Sequence, residues 1–346
     1  MNKLPEVTSK ISDLIEIFSG AISSRLLISA IKLKVFDCLE EPTLAEKVTN
    51  LLSLHFENTI HVLDALCSLG LINKHNKTYH NKKVASEFLV TGKPTYIGEW
   101  LLQTDKDIEL CLEKLPDIIR FGSKVIKAPE HMNSKEYCEK FTASHAATSF
   151  AGIANDIAHN VSCIPSFKYC RRMLDLGGGP GVNAMAVVSK NTDLEATIFD
   201  RPDIVHLAEN YIKEYGFGDR VKTLGGDYLK DFIGSDYDMI MITDSLYYTD
   251  SEIDAVLNKC RNALNPSGFF VGIHAVLTEE RTQPAHMVLG MLPETVMNSG
   301  TLPDKGYLAK ALERCGFVNI SSEMVMIGGS FFEMNTGYLS VPIIDK

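Results

Sequence analysis

Basic charge is scarce in this sequence: 34 Lys and Arg stand against 44 Asp and Glu, giving a formal charge of −10 over 346 residues. A nucleic-acid binder usually presents a basic face, so no nucleic-acid partner is expected. Long apolar runs are missing as well, and none approaches the ~18 uninterrupted residues of a membrane span. The opening Met1-Asn2-Lys3-Leu4-Pro5-Glu6 lacks the apolar core of a secretory leader. The expectation is a cytoplasmic protein with no membrane partner. Cysteine pairs are absent too: the 8 cysteines are scattered singly from Cys38 to Cys315, with no C-x-x-C. That spacing fits reduced, mostly buried thiols better than disulfides or zinc, and no metal is expected. What remains, 45% hydrophobic and 23% charged residues, is ordinary globular composition and excludes disordered, collagenous and coiled-coil classes. At about 150 residues per domain, the length suggests two domains or one with an extension.

The first hundred residues read as helices followed by a hairpin. Leu26, Leu27, Ala30, Ile31 and Val35-Phe36 form one apolar stripe, and Leu44, Ala45 and Val48 a second. A third helix runs through Thr59 to Leu66 and ends at Leu69-Gly70, where glycine suits a C-cap. Leu71 to His80 then reads as two short extended pieces around a polar turn. Helix, helix, helix and hairpin is a winged-helix pattern. Lys74, Lys77, Lys82 and Lys83 favour DNA binding there, but Asp37, Glu40, Glu41, Glu46, Glu57 and Asp64 roughly cancel them. The segment from about Thr95 to Lys168 is helical and uneven, and its small-residue-rich stretch Phe141 to Phe150 packs closely on something. The apolar helix Ile11 to Ile22 has little to bury against alone, which implies a partner copy.

From Arg171 onward strands and helices alternate. Strands are expected at Met173–Leu176, Ala196–Phe199, Val221–Leu224, Met239–Ile242 and Phe269–Ile273, with helices at Ala184–Ser189, Ile204–Tyr215 and Ile253–Leu264. Short apolar strands separated by helices make a parallel sheet covered on both faces, whose ligands lie at the carboxyl ends of the strands. There stand Asp175-Leu176-Gly177-Gly178-Gly179-Pro180-Gly181 after the first strand and Asp200 after the second. Glycines let the backbone approach a ligand, and the acid suits ribose hydroxyls, so an adenosine-bearing cofactor follows. Gly179-x-Gly181-x-x-Ala184 also satisfies the relaxed dinucleotide fingerprint, which keeps NAD in view. Asp175 inside the motif, and Gly225-Gly226-Asp227-Tyr228 after the third strand, favour S-adenosylmethionine, with Asp227 accepting the adenine amino group beside the Tyr228 ring.

The order of a winged-helix-like start, a helical middle, then LDLGGGPG, FDRPDIV, RVKTLGGDYL and ERCGF resembles one family over almost the whole chain. It is that of the class I S-adenosylmethionine-dependent methyltransferases of the caffeate, acetylserotonin and polyketide O-methyltransferase type. The resemblance implies a Rossmann-like, mostly parallel α/β sheet with an N-terminal winged-helix dimerisation domain, and a homodimer. Its divisions fall at residues 1–95, 96–168 and 169–346. It implies cofactor contacts from Asp175, Gly177, Gly179, Asp200, Gly226, Asp227 and Tyr228, and from Thr243, where members often carry lysine. The family's usual catalytic histidine after strand four is replaced by Tyr247. Tyrosine there, with His286 before Leu289-Gly290, is similar to bacteriochlorophyllide carbon methyltransferases, and this implies Tyr247 and His286 as the catalytic pair.

The expected reaction moves a methyl group to a hydroxyl of a small, planar or aromatic acceptor. Carbon or sulfur transfer, and a winged-helix ligand-sensing regulator, stay open as alternatives. His274 would neighbour the sulfonium end of the cofactor, with repulsion favouring its neutral form. His145 and Ser149 reach toward the same pocket but read first as structural residues. Asp244 and Asp250 lack a third oxygen-rich neighbour at metal-site spacing. Met287, Met291 and Met297 suit either an adaptable pocket or plain core.

Overall fold

The computed structural model describes residues 4, 7–125, 135–246, 250–298 and 301–340. The chain divides into two units, Met1–Lys106 and Asp107–Lys346.

The first unit opens with α1 (Ile11–Lys32), followed by the two-residue β1 (Thr43–Leu44), α2 (Ala45–Leu52) and α3 (Phe56–Ser68). Gly70, at φ +77°, turns the chain out of α3. The hairpin of β2 (Ile72–His75) and β3 (Thr78–Asn81) turns at Asn76-Lys77, both left-handed, and β3 also pairs with β1. A short α4 (Lys83–Phe88) follows. Phe36, Leu39, Val48, Leu63, Leu66, Ile72 and Tyr79 fill the core. Asp64 accepts from Lys74 Nζ (2.6 Å) and the Tyr79 hydroxyl (2.7 Å), so one of the four lysines near the hairpin is already neutralised inside the fold.

Helix α1 is long and apolar enough by composition to cross a membrane, although no uninterrupted run has that length. Its serines, together with Asp13, Glu16 and Arg25, explain the difference. Ser19, Ser23 and Ser29 donate back to the carbonyls of Ile15, Ser19 and Arg25, so they interrupt the apolar run without presenting unsatisfied groups. Only Ile28, Ala30 and Ile31 of this helix are buried, while Ile11, Leu14, Ile17 and Phe18 are largely exposed, Phe18 to 75%.

The division between units falls inside α5 (Gly98–Phe121). The second unit continues with α6 (Lys135–Thr148), a π-turn at Ser149–Ile153 and α7 (Ala154–Ser162). Gly152 in that π-turn has φ 126° and breaks the helical geometry. Then come β4 (Arg172–Leu176), α8 (Val182–Val188), β5 (Glu195–Asp200), α9 (Val205–Glu214), β6 (Val221–Gly225) and β7 (Tyr237–Thr243). They are followed by α10 (Asp250–Ala263), β8 (Leu264–His274), α11 (Ala285–Asn298), α12 (Tyr307–Arg314), β9 (Val318–Ile327) and β10 (Ser330–Tyr338). Every expected strand is present. The seven-stranded sheet runs β6-β5-β4-β7-β8-β10-β9; the first five strands are parallel, and β10 runs antiparallel to both its neighbours, β8 and β9. One face packs on α7, α8 and α9, the other on α10 and α12. Because the chain leaves β4 in one direction and returns to β7 on its other side, the crevice between their carboxyl ends is the switch point where such sheets bind ligands.

Candidate active site

The loop after β4 is built so that side chains are excluded. Gly177, Gly179 and Gly181 have φ values of 73°, 51° and 75°. A Cβ on Gly177 would lie 2.7 Å from Ser245 Oγ, and one on Gly178 would lie 2.7 Å from Asp175 Oδ2. The amides of Gly177 and Gly178 both donate to the carbonyl of Phe199 (2.8 and 3.3 Å), which pins the bend to the end of β5. Asp200 closes the same end: its carboxylate accepts from the Gly179 amide (2.8 Å) and the Arg201 amide (2.7 Å). Burial pushes the Asp200 carboxyl up, against the lowering effect of those two amides.

Beneath the bend lies Asp175, fully buried in β4 with no hydrogen-bond partner on either oxygen among the described residues. Burial first, and the neighbouring Asp200 charge second, push its carboxyl up to about 7. Asn183, in the first turn of α8, donates through Nδ2 to Thr243 Oγ1 (3.2 Å) and leaves its own Oδ1 buried without a partner.

A cavity of about 270 Å³ opens at this point, lined by Gly177–Pro180, Asn183, Thr243, Asp244 and Ser245 from the sheet. His145, Thr148, Ser149, Ile153 and Ile157 line it from α6, the π-turn and α7, and Ile273, Ile327 and Phe332 complete an apolar wall. The loop after β6 joins from one side: the Gly226 amide donates to Asp200 O (2.9 Å), and the Tyr228 hydroxyl donates to Ser245 O (3.1 Å). Asp227 on that loop is held by Lys230 Nζ (2.7 Å) and the Leu229 amide (2.9 Å), and these hydrogen bonds, that of Lys230 first, keep its carboxyl below the usual range.

Gly177, Gly179 and Thr243 thus line one cavity, with Asp200, Gly226 and Tyr228 tied to its edge, while the Asp227 carboxylate is engaged within its own loop. His286 falls elsewhere. It is exposed on α11, its Nε2 stands 2.8 Å from Ser330 Oγ, and it is not among the lining residues. Tyr247 lies outside the described residues. His274 also departs from expectation: Ile273 lines the cavity, and strand alternation turns His274 to the other face of the sheet, into a small hollow beside Tyr307 and Glu333. Its neutral form comes from burial, which pulls its pKa down to about 4, and not from a sulfonium. Met287 packs with Leu277 and Leu302 in a separate apolar cluster. Asp244 accepts from the Ala275 amide (2.9 Å), and among the described residues no three His, Cys, Asp or Glu gather closely enough to hold a metal. Sequence reasoning passed over Asn183 altogether. Its signal was present, since it is the one polar residue of the helix Val-Asn-Ala-Met-Ala-Val-Val that opens behind the glycines.

Residues 113–318 match the family model of the O-methyltransferase domain, which is more than half of the chain. The chain belongs to the O-methyltransferase family. Residues 15–91 of this methyltransferase match the O-methyltransferase dimerisation domain, which covers most of α1 and the helices and hairpin after it. Among curated relatives, the chain is similar to the tetracenomycin polyketide synthesis 8-O-methyl transferase TcmO of Streptomyces glaucescens. The two are 24% identical over 287 residues, covering 81% of this chain and 83% of that one. It is 27% identical over 316 residues to the N,N-dimethyltransferase OxyT of Streptomyces rimosus, covering 88% and 90% of the two chains. The fold is that of human N-acetylserotonin methyltransferase, with a TM-score of 0.79 at 22% identity over 97% of this chain and 100% of that one.

Proposed function

We propose that the protein is a homodimer that transfers a methyl group from S-adenosylmethionine to a hydroxyl of a small planar or aromatic metabolite. The observation that carries the cofactor is the pair of orphaned buried groups at the bend, Asp175 and Asn183 Oδ1. Asn183 Oδ1 is an acceptor, and Asp175, whose proton burial favours, becomes one when a cation beside it stabilises the carboxylate, so both answer to a positively charged donor. The ammonium of a methionyl group brings three N–H bonds and a positive charge. A dinucleotide would bring a pyrophosphate, which adds only acceptors and negative charge beside Asp175 and Asp200, and this weighs against NAD. When bound, S-adenosylmethionine supplies an electrophilic methyl on a sulfonium. Asp200 is assigned to the ribose hydroxyls, Asp227 with Tyr228 to the adenine edge, and Gly226 to the close backbone approach that its missing side chain permits.

The apolar wall of Ile153, Ile157, Ile273, Ile327 and Phe332 suits a flat apolar body and excludes water from the reacting atoms. Tyr247, which follows Leu246 in the sequence, is assigned to orient the acceptor hydroxyl. His286 acts one step removed, by holding Ser330 at the start of β10, beside Ile327 and Phe332 of the cavity wall.

Titration calorimetry with S-adenosylhomocysteine is expected to give saturable binding to the wild-type protein. In Asp200→Ala the affinity falls roughly tenfold or more, the loss of a hydrogen-bonded charged acceptor. Binding of NAD in place of S-adenosylhomocysteine would reject the cofactor. The dimer rests on the apolar face of α1, where Ile17 is 77% and Phe18 75% exposed. Phe18→Asp is expected to convert a dimer into a monomer in light scattering, because a charge in a packed apolar interface is costly. A dimer that survives the substitution places the interface elsewhere.

A further inference from the structure

We propose that His145 is the general base that removes the acceptor's proton, an inference that rests on the hydroxyl-methylation reading above. Three observations converge on it. First, His145 lines the same cavity as Gly177, Thr243 and Ser245, where His286 does not. Second, its Nδ1 stands 2.8 Å from the carbonyl oxygen of Phe141, one helical turn back, and that oxygen also accepts from Ser144 Oγ (2.7 Å). A carbonyl only accepts, so Nδ1 carries the ring proton and Nε2 keeps its lone pair, the tautomer a base requires. Third, the Phe141 ring packs on the imidazole with centroids 4.3 Å apart and planes tilted by 51°, which favours this orientation of the imidazole.

Among the described residues, the other ionisable lining side chain is differently employed. Asp244 spends Oδ1 on the Ala275 amide and holds a left-handed backbone, φ 46°, whose own amide donates to Ile273 O. It shapes the loop after β7. The hydroxyls of Thr142, Thr148, Ser149 and Ser245 are far too weak as bases at neutral pH. The balance of the step is simple. The acceptor O–H gives its proton to Nε2, and an oxygen lone pair forms the new C–O bond to the methyl carbon. The C–S bond breaks with its electron pair going to sulfur, leaving a neutral thioether. One positive charge leaves the sulfonium and one appears on the imidazolium. His145 is exposed, so that proton passes directly to solvent before the next turnover.

The test uses the full-length protein, preloaded with S-adenosylmethionine, in single turnovers with a 2-naphthol series. The series runs from the unsubstituted compound to nitro-substituted members already ionised at neutral pH. His145→Ala and His145→Gln are each expected to slow the unsubstituted naphthol by about 100-fold or more, the ordinary contribution of a general base. The ionised members, which have no proton to give, should react nearly as fast as with wild-type protein. His286→Ala should slow all members alike. S-adenosylhomocysteine affinity should be unchanged in both His145 variants, which separates this role from folding and cofactor binding. Equal slowing across the series, or none, overturns the assignment. Failure of the wild-type protein to methylate any member while it still binds S-adenosylhomocysteine rejects hydroxyl transfer and the base with it, whereas failure to bind S-adenosylhomocysteine rejects the cofactor reading and, with it, the transfer on which the base depends. Long-range ¹⁵N–¹H spectra of the histidine rings supply an arm that needs no acceptor: they should show His145 as the Nδ1–H tautomer, and an Nε2–H ring would also overturn the proposal.

Discussion

Asp175→Asn should raise the stability of the ligand-free protein at pH 8, and the advantage should disappear toward pH 4. The folded-state pKa of Asp175, about 7, lies above its ordinary value of 3.8, because burial without a partner penalises the charged form and the Asp200 charge adds to the penalty. The folded protein therefore holds this proton more tightly than the unfolded chain does. The resulting contribution is whole below pH 4, is lost as the pH rises, and is gone once the pH passes about 7. A shift of roughly three units corresponds to about 4 kcal/mol, a large fraction of a domain's net stability. Asparagine stays neutral throughout, so urea unfolding of the two proteins between pH 4 and 8 isolates the carboxyl. A constant difference across that range would show that Asp175 ionises normally in the folded state. Saturating S-adenosylhomocysteine should narrow the gap at pH 8, since an ammonium beside Asp175 favours the charged form that asparagine cannot adopt.

The same residue shows how much of the site was legible in advance. An acid, a run of glycines and a second acid at the next strand end form a sequence-local pattern, because the backbone itself makes the cradle. Asp175, Gly177, Gly179 and Asp200 could therefore be named without knowing what packs above them. The parallel strands were legible for a related reason: each is a short apolar run that ends in a polar or glycine residue, as Met239 to Thr243 does. The hairpin of β9 and β10 was not read, although Gly328-Gly329, with φ 58° and 81°, is a strong turn signal. Its first strand, Val-Asn-Ile-Ser-Ser-Glu-Met-Val-Met-Ile, lies at the sheet edge and keeps many polar side chains in solvent, so the apolar signal is diluted.

The walls of the cavity were the least legible part. His145 and His286 are equivalent as letters, and only tertiary packing decides which reaches the crevice. The Gly152 break between α6 and α7 takes part in that decision. So does the tie from Asp156 Oδ2, which accepts from the Gly328 amide at 2.8 Å and binds α7 to the β9–β10 turn. His274 and Ile273 differ by a single residue of strand parity, and parity places one against the cavity and the other against α12. Helix α1 posed the opposite difficulty. Its exposed apolar face is unintelligible within one chain, and a count of uninterrupted apolar residues hides it.

Gly181→Ala should be the most damaging small substitution in the bend, and Gly178→Ala should fail in a different way. At Gly181 the backbone has φ 75°, and the added Cβ would stand 2.5 Å from Ile198 Cδ1 and 3.2 Å from Ala208 Cβ. Both neighbours are fully buried in the core, on β5 and α9. The left-handed backbone costs about 1 kcal/mol for alanine and the overpacking about 1–3 kcal/mol, so a loss of about 2–4 kcal/mol in urea unfolding is expected. At Gly178 the φ is unexceptional, and the nearest obstacle, at 2.7 Å, is Asp175 Oδ2, followed by Ile198 Cγ2 at 3.0 Å. The strain there falls first on the carboxyl assigned to the cofactor, so S-adenosylhomocysteine affinity should suffer more than stability does. A double-mutant cycle separates the two sites. Shortening Asp175 to alanine should recover part of the stability lost in Gly178→Ala and none of that lost in Gly181→Ala, because only the first clash involves the carboxylate. Equal recovery at both glycines would mean that the bend deforms as a unit, and Asp175 would then be a packing element of β4 instead of a ligand-facing one.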